Sequence, residues 1–89
     1  MKRFERRVTV RIPGGVHARI AARLTQLAAE HGVKVHIFHQ DEYIDCTSVL
    51  EILSRGVTSG SRITVRAEGE NSRQALAAIE NLLAGDDEA

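Results

Sequence analysis

Apolar residues recur in this chain with two different periods, and the order in which those periods alternate constrains the fold more than any other feature. Val8, Val10 and Ile12 occupy every second position, the spacing of one face of a β-strand. Pro13-Gly14-Gly15 stops the run, because proline and glycine interrupt a regular backbone. From His17 to Glu30 the period lengthens. Ile20, Leu24, Leu27 and Ala28, with Ala21 and Ala22 beside them, line one face of a helix that Gly32 closes. Val33, Val35 and Ile37 then alternate with Lys34, His36 and Phe38 as a second strand, Gln40-Asp41-Glu42 reads as a turn, and Tyr43 to Asp45 as a short third strand.

Ser48-Val49-Leu50-Glu51 has the form of a capping box, in which a serine and a glutamate three residues on satisfy each other's backbone N–H groups. It predicts a short helix to Ser54 or Arg55, ended by Gly56. Ile63, Val65 and Ala67 form a fourth strand. Asn71 with Gln74 opens the last helix in the same capping fashion, Leu76, Ile79, Leu82 and Leu83 give its apolar stripe, and Gly85 ends it. The order is strand, helix, strand, strand, helix, strand, helix. Because the long strands alternate, one sheet face is covered by helices and the other is wet, which predicts an α+β open-faced sandwich: a four-stranded antiparallel sheet with three helices on one face.

At 89 residues there is material for one core, so residues 1–89 read as a single domain with a frayed acidic tail at 86–89. Cys46 is the only cysteine, which excludes an internal disulfide and a thiolate zinc site, and it reads as a small buried residue. No apolar run follows the basic N-terminus as in a signal peptide, and none approaches the ~20 residues of a membrane span, so a cytoplasmic protein without membrane insertion is expected.

Twelve Lys/Arg cancel twelve Asp/Glu, which weighs against a generic nucleic-acid binder. The balance hides a split: residues 1–40 hold eight basic and two acidic side chains, residues 41–89 four and ten. The wet sheet face is expected to present Arg11, Lys34, His36, Arg62 and Arg66, with Phe38 its one aromatic ring. That face leaves an alternative open, an RNA-binding or phosphate-independent regulatory module of ferredoxin-like topology, although sheet-type RNA readers stack bases on several rings. His36 and His39, three apart on a strand, point to opposite faces, and His31 suits a helix C-terminus, so no metal site is expected. No cofactor loop is present either, and no second acid or base stands near His17, which argues against a turnover enzyme.

The informative stretch is Gly14-Gly15-Val16-His17-Ala18-Arg19, where a glycine loop delivers a histidine to the start of a helix. A helix start carries unpaired N–H donors and a partial positive charge, so it suits an anion. A phosphoryl group on His17 meets the first-turn N–H groups of Ala18 and Arg19, and the Arg19 side chain adds a charge-assisted contact. On local chemistry alone, a plain polar helix start is the simpler account of His17.

Val8-Thr9-Val10, Gly15-Val16-His17-Ala18-Arg19 and the segment from Ser48-Val49-Leu50 to Gly56, together with the element order, resemble HPr, the histidine-containing phosphocarrier family of the bacterial phosphoenolpyruvate-dependent phosphotransferase system. The resemblance runs from about Arg6 to Leu83. It implies that His17 accepts a phosphoryl group on Nδ1 from phosphorylated enzyme I and passes it to a histidine of an enzyme IIA, as a stoichiometric carrier needing no cofactor. Arg19 matches the family's phosphate-contacting arginine. Val49, Leu50 and Leu53 match its docking surface, and Arg23, one turn beyond Arg19, extends a basic rim toward acidic partners; a monomer is expected.

Two departures from the family pattern stand out. Ile20 occupies the place of a usual proline, which adds an N–H donor to the first turn and removes a pre-set backbone angle. Glu51 and Arg55 stand where glycine and leucine are frequent. Ser48 matches a second site that a dedicated serine kinase modifies in some bacteria, yet the capping box already explains a serine there, and Glu51 repels a phosphate one turn away.

Overall fold

The computed structural model describes residues 2–85, so the acidic tail read at 86–89 lies outside the described residues. The elements run β1 (Arg3–Thr9), α1 (Ala18–His31), β2 (Lys34–His39), β3 (Glu42–Asp45), α2 (Val49–Ser54), β4 (Arg62–Glu68) and α3 (Ser72–Leu83). The strands form one sheet in the order β1-β4-β2-β3, with every neighbouring pair antiparallel. This is the open-faced sandwich that the alternation of periods predicts.

Registers explain which face is dry. Val8 lies opposite Ile63, and Ile37 lies opposite both Ile44 and Val65. Their side chains share one face and pack against Ile20, Leu24, Leu76, Ile79 and Leu83 from the helices in a single buried cluster. α1 packs on both α3 and α2. The β2–β3 hairpin turns on Gln40 and Asp41 alone, with φ of 50° and 64°, the two positive angles of a tight hairpin loop; Glu42 already belongs to β3. Gly32 ends α1 at φ 63°, its N–H reaching the Ala28 and Ala29 carbonyls.

Several local expectations are corrected. β1 starts at Arg3 and its ladder ends at Thr9, because Val10 pairs onward with the loop residues Ser61 and Gly60. Only half of the capping box at α2 forms: Ser48 Oγ accepts from Glu51 N–H at 3.2 Å, while the Glu51 carboxylate accepts from Asp45 N–H at 3.0 Å. Asn71 precedes α3 without a side-chain cap; its amide donates to the His31 carbonyl at 3.2 Å, tying the end of α1 to the start of α3.

On the wet face Phe38 is not the one aromatic ring. Tyr43, its register partner, stacks on His36 at 4.4 Å and tilts against Phe38 at 4.7 Å. Arg66 covers Phe38 and is itself held by Glu5 at 2.7 Å. These rings are occupied with one another and with Arg66, which leaves less ring surface for a stacked base. Arg11 is not on this face; it lies past the end of β1, beside the C-terminus of α3.

Candidate functional site

His17 owes its place to the bend that precedes it. Gly15 donates to the Ile12 carbonyl at 2.8 Å, and Val16 N–H donates to Val57 O at 2.9 Å, which pins the loop to the chain leaving α2. Gly15 has φ of +73°, and a Cβ there would stand 2.5 Å from Val57 O and 2.8 Å from Thr58 Cα. Only glycine permits this approach. Val16 is buried as an anchor, and His17 follows in extended conformation (φ −90°, ψ −177°) as the N-cap of α1.

The imidazole makes no capping hydrogen bond. The first bond of the α1 ladder runs from Ala21 N–H to the His17 carbonyl at 2.9 Å, so the N–H groups of Ala18, Arg19 and Ile20 precede the ladder. α1 has 14 residues, none acidic in its first turn, so no carboxylate of that turn offsets its positive pole. The Ile20 side chain is fully buried in the core, where it continues the apolar stripe.

His17 and Arg19 line one open cleft of about 330 Å³ together with Arg11, Pro13, Ala84 and Gly85. Arg19 also borders a second depression along α1 with Arg23 and Gln26. Arg23 is half-buried and 3.6 Å from Glu30. Of the residues singled out in the sequence, His17 and Arg19 share the cleft while Arg23 borders the second depression instead, and Arg11 and the end of α3, which the sequence reading did not place here, also line the cleft. The Pro13-Gly14-Gly15 bend, two residues past Arg11, was the available sign that the chain leaves the sheet there.

The α2 residues divide by environment. Leu50 is 80% exposed, whereas Val49 and Leu53 are partly buried against the core and Ile52 is fully buried. Ser48 is half-buried with its hydroxyl engaged at Glu51 N–H. His31 caps its own helix, its Nδ1 lying 2.9 Å from the Leu27 carbonyl. Cys46 is buried, and desolvation, aided by the charges of Asp45 and Glu51, pushes its thiol up to about 12.

Comparison with known proteins follows the same lines. The family model described as the PTS HPr component phosphorylation site matches residues 4–85. The phosphocarrier protein HPr of Buchnera aphidicola subsp. Acyrthosiphon pisum (strain APS) is 30% identical over 73 residues, 82% of this chain and 86% of that protein. Among solved structures, a phosphocarrier protein HPr from Bacillus anthracis str. Ames superposes with a TM-score of 0.84 at 28% identity, covering 91% of this chain and 96% of that one. HPr-C-His from Thermoanaerobacter tengcongensis gives a TM-score of 0.85 at 25% identity, with 93% of each chain covered.

Proposed function

Because the chain belongs to the HPr family of phosphotransferase-system phosphocarriers, we propose that His17 receives a phosphoryl group from phosphorylated enzyme I and hands it to an enzyme IIA. The observation that carries this reading is the His17 ring itself: the N-cap of a 14-residue helix, not spent on capping, in an open cleft with Arg19. The lone pair of Nδ1 attacks the phosphorus held by the donor's histidine. A new N–P bond forms as the donor's N–P bond breaks, and the donor imidazole leaves with its electron pair. The reverse geometry serves the second transfer.

The N–H groups of Ala18 and Arg19 and the Arg19 guanidinium oppose the phosphoryl charge in both directions. No general base is required, because each leaving group is an imidazole, and the chain acts as a carrier in the cytoplasm, not as a turnover enzyme. Leu50 provides an exposed apolar contact for both partners, with Val49 and Leu53 shaping the surface beneath it and Arg23 at its basic edge.

The test is a two-step transfer. With phosphoenolpyruvate and enzyme I the protein gains one labelled phosphoryl group, and added enzyme IIA removes it. Arg19→Ala slows both steps roughly 10- to 100-fold, the loss of one charge-assisted contact. Label that stays on the carrier in the presence of several enzyme IIA proteins contradicts the reading. Ser48 serves first as the cap of α2; a serine kinase that labels the wild type and not Ser48→Ala gives it the regulatory role as well, and equal labelling of both removes it.

A further inference from the structure

Val10 and Ile12 are both fully buried, so alternation turns the residue between them outward. That residue is Arg11, and it is exposed. Its backbone is fixed on two sides: its N–H donates to the Leu83 carbonyl at 2.8 Å, and its carbonyl packs so closely on Gly85 that a Cβ there would approach within 3.3 Å. The last turn of α3 is thereby brought against the start of the Pro13-Gly14-Gly15 bend, and Ala84 and Gly85, which follow the helix directly, become one wall of the cleft that holds His17.

That wall is the wrong sign for a phosphoryl group. A 12-residue helix ends there, and the C-terminal pole of a helix is negative. The helix start on the other side of the cleft attracts the dianion while the end of α3 repels it. Arg11 lines the cleft at the repelling wall. It also borders a neighbouring depression that contains Glu80, yet no Arg11–Glu80 ion pair is formed, and among the described residues Arg11 has no ion-pair partner. By contrast, the wet-face Arg66 is neutralised by Glu5 at 2.7 Å.

We infer that Arg11 supplies a second guanidinium to the phosphoryl group on His17, opposing the negative end of α3 as Arg19 and the start of α1 hold the other side. The inference rests on His17 being the phosphoryl acceptor. Among the described residues, the charged and titratable groups facing the phosphoryl group are then Arg11, Arg19 and the His17 ring, with Glu80 in the adjoining depression.

A cation beside a phosphoryl group favours its doubly charged form, so removing one raises the pH of its second ionisation. The full chain is phosphorylated with phosphoramidate, which needs no protein partner, and the phosphohistidine signal is followed by phosphorus NMR against pH. Arg11→Gln should raise the titration midpoint by about half a unit, and Arg11→Lys, which keeps the charge, should leave it near the wild-type value. Arg11 is exposed, so neither substitution threatens the fold. A phosphohistidine signal with the same midpoint in wild type and Arg11→Gln overturns this inference and leaves His17 as acceptor. Absence of any phosphohistidine in the wild type overturns the acceptor reading together with it.

Discussion

A glycine without a side chain controls whether His17 reaches its place. Gly15 combines a left-handed φ of +73° with a backbone neighbour 2.5 Å from any added Cβ. Gly15→Ala should therefore cost roughly 2–6 kcal/mol, strain and overpacking together, in urea unfolding, and should displace His17 from the cleft; full stability would show that the loop can relax. Cys46 makes an independent prediction at this scale. Its folded thiol is raised from 9.0 to about 12 by burial, so in that interval the unfolded chain holds fewer protons than the folded one. Stability conferred by the buried neutral thiol is complete below pH 9.0 and is lost as pH rises toward about 12. Cys46→Ala should remove that part of the alkaline slope, and an unchanged slope would contradict the burial argument.

At the scale of elements, α2 places two neighbouring kinds of apolar residue in different service. Ile52 is fully buried and Leu50 is 80% exposed. Ile52→Ala should destabilise by about 2–5 kcal/mol, whereas Leu50→Ala should stay within about 0.5 kcal/mol in stability and instead weaken phosphoryl transfer with enzyme I. Equal effects on stability would mean that Leu50 packs inward in solution. Ser48→Ala should cost about 1 kcal/mol through loss of the α2 cap, read as a lowered thermal midpoint.

Element type, order and covered face were legible in the sequence because period alone separates strand from helix, and glycines marked the ends of α1 and α2. The cap partners were not. A glutamate three residues after a serine has more than one backbone N–H within reach, and the fold brings Asp45 N–H closer to Glu51 than local geometry anticipates. Asn71 was likewise claimed by a tertiary partner, His31. Arg11 was assigned to the sheet because alternation outlasts the ladder: Val10 and Ile12 keep the strand period after β1 has ended. The histidine-arginine pair was legible because both lie within one helical start.

For the whole molecule, a net charge of zero conceals an uneven field. Arg11 and Arg19 line the cleft that holds His17, and Arg23 borders a second depression that shares Arg19, while on the open sheet face Arg66 is matched to Glu5. On the proposed reading, in which His17 meets two partners in turn, that local group of arginines is what the transfer uses, and the small sheet-and-helix frame needs to hold little else in position. Phosphorylation of the intact chain by phosphoenolpyruvate and enzyme I tests this most directly. Wild type should acquire one phosphoryl group that is lost in acid and retained in base, and His17→Ala should acquire none; an adduct of equal yield on His17→Ala, or no adduct on the wild type, would contradict the account.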